Sequence, residues 1–139
     1  MAGDGATSAA AAQAEQRTFS PAVAISNHMV RLVASWVGRG PTKARTTLNP
    51  NLVVVTFGDT MTRAEGNLVA AGEAAAVRGM RRIFHTRMRE EAVSGVEGVL
   101  GRKVVAYMSD IDTEANVAMM AFLLEPQADA HSVELEPGD

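Results

Sequence analysis

From Pro21 onward the chain places Ile25, Met29, Leu32, Val33 and Trp36 three and four residues apart, the period of one face of a helix. Ser20 stands where an N-cap belongs and Pro21 suits the first turn, because its missing N–H would have no intrahelical partner there. Gly38 and Gly40 stop this helix, and Pro41 prevents its resumption. The periodicity assigns Trp36 to the buried stripe. The pattern then changes from helical to extended. Thr42 to Leu48 and Leu52 to Phe57 are β-branched or apolar runs separated by Asn49, Pro50 and Asn51, which predicts a hairpin. Asp59 or Thr62 can cap the next helix, Thr62 with Glu65 as a capping box, and Gly66 and Gly72 keep that helix short. One long helix is predicted from Glu73 to Leu100, ended by Gly101. A second hairpin follows, Val104 to Ser109 and Val117 to Leu124, around the acidic turn Asp110 to Asn116.

Two helix-to-hairpin passages share a plan: "VASWVGRGPTKARTTLNPNLVVVTF" and "VEGVLGRKVVAYMSDIDTEANVAMMAFLL" each run from a helix through a Gly-Arg stop into a strand, a polar turn and an apolar strand. The expected fold is therefore α+β, two αββ-like units whose four antiparallel strands pack with about three helices. Val53 to Val55 and Met119 to Leu124 are apolar on both faces of their strands. Both faces of the central strands then need cover, from further helix or from a second subunit, and the scarcity of helix favours a homodimer. The domain is expected over residues 20–125, between a disordered Ala-rich leader (1–19) and an acidic disordered tail (126–139).

Composition narrows the function classes. The 139 residues are 47% hydrophobic and 21% charged, with no cysteine, which removes disulfide frameworks, thiol catalysis and thiolate metal sites. The longest apolar run, Val117 to Leu124, is far shorter than the ~20 residues of a spanning helix. Met1 to Gln16 lacks the basic start and apolar block of a signal peptide. The expected location is cytoplasmic, with a peripheral position at the inner face of the cell membrane as a variant of it. The net charge of -3 conceals a division: all thirteen Lys and Arg lie between Arg17 and Lys103, against six acids there (+7), whereas eight acids and no Lys or Arg follow from Val104 (-8). A basic body with an acidic end suits an anionic partner, the tail competing for the same surface, or simply neutralises itself.

Candidate chemistry is sparse. Arg78, Arg82, His85 and Arg89 recur at helical spacing and form a stripe of planar donors suited to carboxylate or phosphate. Beside it run Met80, Phe84, Met88, Ala92, Val96 and Leu100 in steps of four, the expected apolar stripe. The segment "GRGPTKAR" (Gly38 to Arg45) gathers Arg39, Thr42, Lys43 and Arg45, but it lacks the phosphate-loop spacing and runs from helix into strand rather than the reverse. Asp110, Asp112 and Glu114 fail as a calcium loop, since Ala115 and Ala121 stand where glycine and glutamate are required. His28, His85 and His131 lie on separate elements, and no catalytic motif occurs, so neither an enzyme nor a metal or cofactor site is expected. Nucleic acid is an unfavoured partner, because Trp36, Tyr107 and the four Phe fall mostly at core positions. The candidate anion or partner surface is Arg39, Thr42, Lys43, Arg45, Arg78, Arg82 and Arg102.

Taken in order, "ISNHMVRLV", "GRGPTKAR", "LVVVTFGDTMTRAEGNLVAAG", "VRGMRRIFHTRMREE" and "VEGVLGRKVVAYMSD" resemble the small bacterial family typified by YbcI and MpsC, over Ala22 to Leu124. The resemblance implies a small protein associated with a Na+-translocating, membrane-potential-generating system for cation or inorganic-carbon uptake. It implies an accessory or regulatory role through protein binding, possession of no membrane span, and no catalytic residues. The alternative is a small-anion or nucleotide-binding sensor. Two positions depart from the family pattern, His28 and Met120, each standing where an acid is expected.

Overall fold

The computed structural model describes residues 19–127. The leader falls outside them apart from Phe19, and so does the tail from Ala128 on. Helix α1 (Pro21–Val37) begins as its sequence dictates, with the Ser20 hydroxyl accepting from Val23 N at 3.3 Å, and ends where Gly38 turns left-handed at φ 86°. Strands β1 (Lys43–Asn49) and β2 (Leu52–Gly58) form the first hairpin. Helix α2 (Arg63–Ala70) carries the complete Thr62/Glu65 capping box. Next come α3 (Ala74–Arg87), α4 (Arg89–Leu100), β3 (Val104–Asp112) and β4 (Val117–Leu124). The four strands are antiparallel in the order β1-β2-β4-β3, which places the two hairpins side by side with β2 and β4 at the centre. The fold is α+β. Each hairpin follows a helix closed by a left-handed glycine, Gly38 or Gly101, so the two αββ units repeat in space.

Three expectations need correction. The predicted single helix over Glu73 to Leu100 is two helices meeting at Met88, and with α1 and α2 this makes four helices among the described residues where about three were expected. The acidic turn is shorter than predicted because β3 continues to Asp112, pairing Asp110 with Met119 and Asp112 with Val117. Trp36 is no buried anchor. It is 37% exposed and meets Phe84 with ring centroids 6.1 Å apart, at the rim where α1 approaches α3.

The stripe through Met80, Phe84 and Met88 is also misplaced, for a geometric reason. A step of four residues advances about 400° around a helix, so such a row drifts ~40° per step away from the core. Met80 has left it and is 36% exposed. The seam that does stay inward is Val77, Arg81, His85, Met88, Ala92 and Val96, all buried. The expected cationic stripe is broken accordingly, since His85 belongs to this inner seam.

Helices α1, α3 and α4 pack on one sheet face. There Val53, Val55 and Phe57 of β2 and Ala118, Met120, Phe122 and Leu124 of β4 close over Ile25, Met29, Leu32 and Val33 of α1. Met120, an expected acid by family pattern, is fully buried in this core. Gly95 of α4 admits α1 closely: a Cβ there would collide with the His28 ring, whose Nε2 bonds to Glu91 O at 3.1 Å. Among the described residues the other face of the sheet carries no helix. The expectation of cover on both faces is therefore met by the described helices on one side only. Val117, Met119 and Leu123 of β4 and Met108 of β3 stand exposed on the open side. Burial along β4 alternates strictly even though its sequence does not.

Candidate functional site

The polar residues of the domain gather in three places. The first is buried. Glu65 points from the first turn of α2 to Arg81 of α3, with Nε at 2.7 Å from Oε2 and Nη2 at 2.8 Å from Oε1, a two-pronged pair with both side chains almost wholly enclosed. Arg81 also donates to the Thr60 hydroxyl at 3.2 Å and to the Thr60 carbonyl. Burial pushes the Glu65 carboxyl up, but Arg81 and the Thr62 N–H outweigh it and hold the group below the usual carboxylate range. His85, one turn beyond Arg81, is pushed down to about 4 by burial and by Arg81, so it is neutral at pH 7. Its buried Nδ1 has no hydrogen-bond partner among the described residues. Neither Arg81 nor Glu65 stood among the expected site residues. The available signal was spacing, since Arg81 lies seven residues before Met88 and two turns of helix bring it back within ~20° of the same face.

The second cluster joins three loops. Asp59, in the left-handed region at φ 52°, receives Arg39 Nη2 at 2.9 Å, Thr42 Oγ1 at 3.0 Å and Asn116 Nδ2 at 3.3 Å. The Asn116 side-chain oxygen accepts in turn from Thr60 N at 2.9 Å and Met61 N at 2.8 Å. The Thr42 hydroxyl and Arg39 hold the Asp59 carboxyl below its ordinary value. "GRGPTKAR" is thus a clasp: its Arg39 and Thr42 tie the end of α1 and the start of β1 to Asp59 at the exit of β2, and through it to Asn116 in the turn of the second hairpin.

The third is the outer side of α3. Arg82 approaches Asp110 at 3.3 Å with both side chains well exposed, and Ile83 is 61% exposed between Arg82 and Arg87. The Ile111 N–H and Arg82 hold the Asp110 carboxyl below its ordinary value. Between α3 and β3 a cleft of about 280 Å³ is lined by Arg82, Thr86, Arg89, Tyr107 and Ser109, where burial raises the Tyr107 hydroxyl and its proton is directed to His85 O at 3.1 Å. A wider hollow of about 690 Å³ adjoins the turn of the second hairpin, lined by Arg78 together with Asp110, Asp112 and Glu114.

The seven expected residues therefore do not share one setting. Arg39 and Thr42 serve the clasp. Arg102 fastens the first hairpin turn to the end of β4, donating to Pro50 O, to Asn51 Oδ1 at 3.0 Å and to Glu125 O at 2.9 Å. Arg78 and Arg82 lie on α3. Lys43 and Arg45 stand exposed on β1, outside any ion pair among the described residues. Among the described residues no group of three or more acids or histidines is arranged to hold a metal ion. Nor is any helix there long and apolar enough to cross a membrane.

Comparison with curated proteins and with solved structures returned no significant match. Residues 21–126, nearly the whole of the described domain, match the family described as Na+-translocating membrane potential-generating system (MpsC). On that span, which includes the clasp, the buried pair and both hairpins, the chain belongs to the MpsC family.

Proposed function

We propose that this protein is an accessory or regulatory subunit of the Na+-translocating system its family name describes, and that it works from the cytoplasmic side by binding a protein partner rather than by catalysis. The observation that carries this is the outer face of α3. Ile83 projects among Arg82, Thr86 and Arg87 beside a hollow of about 360 Å³, with Met80 one turn earlier. An apolar anchor ringed by guanidinium groups is the composition of a binding hot spot, and it favours an acidic segment with an apolar side chain of its own. The test is affinity capture from native membranes with the intact chain and with Ile83→Glu/Arg87→Glu. The wild type should recover a multi-span membrane protein and the variant about tenfold less, a loss in the usual range for a hot-spot residue. Equal recovery would remove the proposal.

A second reading, a small-anion or nucleotide sensor, draws on the cleft where Arg82 and Arg89 face Ser109. Calorimetric titration with bicarbonate, phosphate and a nucleotide decides it: saturable binding abolished by Arg89→Ala selects this reading, and absence of heat with all three rejects it.

A further inference from the structure

The open face of the sheet is ordered in a way that specifies its own partner. Pairing across the four strands sets its side chains in rows. One row reads Lys43, Gly58, Val117, Asp112, and the next reads Arg45, Thr56, Met119, Asp110. The third reads Thr47, Val54, Ala121, Met108, and the last Asn49, Leu52, Leu123, Ala106. The centre is apolar, one edge is basic and the opposite edge is acidic. Lys43 and Arg45 have no ion-pair partner among the described residues, Asp112 has none, and Asp110 has only the exposed contact with Arg82.

We propose that this face binds a second copy of the same chain, sheet against sheet, about a two-fold axis running along the strands between β2 and β4. That axis keeps each row opposite itself and reverses its direction. Lys43 then faces the partner's Asp112, Arg45 faces the partner's Asp110, and Leu52 faces the partner's Leu123. Gly58 leaves a hollow of about 380 Å³ with Lys43, Arg45 and Thr56 on its walls, and the same reversal sets the partner's Val117 over it. A two-fold axis across the strands would instead stack β1 on β1 and β3 on β3, keeping like charges together. Aligned sheets cross at about 30°, which displaces the edge strands by roughly 4 Å from perfect superposition, within reach of Lys and Arg side chains. Four strands about 4.8 Å apart and four rows about 6.8 Å apart give a footprint near 500 Å² per copy before side-chain relief is added. That is at the small end of specific interfaces, so the dimer is micromolar and salt-sensitive. The inference does not rest on Ile83 or Arg87 of α3, which borders this face at its acidic edge, where Arg82 meets Asp110 and Arg78 lines a hollow with Asp112 and Met119.

The experiment uses the full chain. Sedimentation equilibrium should show a dimer whose dissociation constant rises about 100-fold or more in Ala121→Glu, because a carboxylate would be enclosed at the centre of the interface without a partner. Met119→Lys, at a side chain 46% exposed in the single chain, repeats the test should Ala121→Glu disturb folding. Orientation is read by cross-linking, for which the absence of native cysteine is convenient. Thr47→Cys and Met108→Cys variants, mixed and treated with a short bis-maleimide, should join to each other and not to themselves. The facing positions lie about 10 Å apart, whereas two copies of either one are roughly 18 Å apart. A wild type that stays monomeric at ~100 μM overturns the proposal, as that concentration exceeds a micromolar constant by far. So does a dimer that survives both face variants, or one in which either cysteine variant cross-links to itself.

Discussion

Removing the Glu65 carboxylate by Glu65→Ala tests how the interior of the domain is held. Arg81 and Glu65 are both almost fully enclosed, and Arg81 makes four hydrogen bonds, two to Glu65 and two to Thr60. Without Glu65 the guanidinium keeps Thr60 but loses its counter-charge inside the protein. An orphaned buried charge costs about 3 to 5 kcal/mol. Loss of the reciprocal capping bond, Thr62 N to Glu65 Oε1 at 2.9 Å, adds roughly 0.5 to 1 kcal/mol. A domain this size holds about 5 to 15 kcal/mol in all, so the variant should be near the edge of folding. Urea unfolding at pH 7 measures the loss, and the thermal midpoint should fall by roughly 15 to 30 °C. Arg81→Met in the Glu65→Ala background should recover part of it, because the charge that suffered is gone. A loss under ~1 kcal/mol for Glu65→Ala, or a double variant as unstable as the sum of the singles, would refute the reasoning. The sign with pH follows from the depressed Glu65 value: the pair's contribution is full above the ordinary carboxylate range and disappears as pH falls through the lower folded value.

His85 makes its own pH signature: between pH 6.5 and 4.5 the unfolded chain takes up a proton that the folded chain, with His85 at about 4, refuses, so stability is lost as pH is lowered, by up to ~1.4 kcal/mol per unit. A His85→Phe variant should flatten that slope, and an imidazole titrating near 6.5 by NMR would contradict it. Asn116→Ala should cost about 2 to 3 kcal/mol in urea unfolding, since Thr60 N and Met61 N lose their shared acceptor and the replacement dislikes a φ of 55°. Asn116→Asp keeps the acceptor but faces Asp59, so it should recover stability only when acid protonates the pair. Trp36→Ala, at a rim position, should cost about 1 to 2 kcal/mol rather than the ~3 to 5 of a buried aromatic, and the emission of this sole tryptophan should be that of a half-solvated ring.

What sequence reading recovers here is what neighbours along the chain decide. Ser20 caps α1, Thr62 and Glu65 cap α2, Gly38 and Gly101 end helices, and the Asn49 to Asn51 turn folds the first hairpin, each through contacts a few residues long. Those signals suffice for two helix-to-hairpin units and for an α+β domain. The break at Met88 left no local sign, since no proline or glycine stands there and the backbone stays right-handed. It appears because α3 must lie against β3 while α4 lies against α1. Strand faces are decided the same way. Val54 and Val55 are equally apolar, but only pairing of Val55 with Met120, sixty-five positions away, turns one toward the helices and leaves the other outside. The basic loop shows the limit most plainly. Arg39, Thr42, Lys43 and Arg45 are neighbours in sequence, yet the fold brings Asp59, itself held by Asn116, to the first two and leaves the last two on the open face. A cation's role depends on which acid reaches it, and tertiary structure alone supplies that distance.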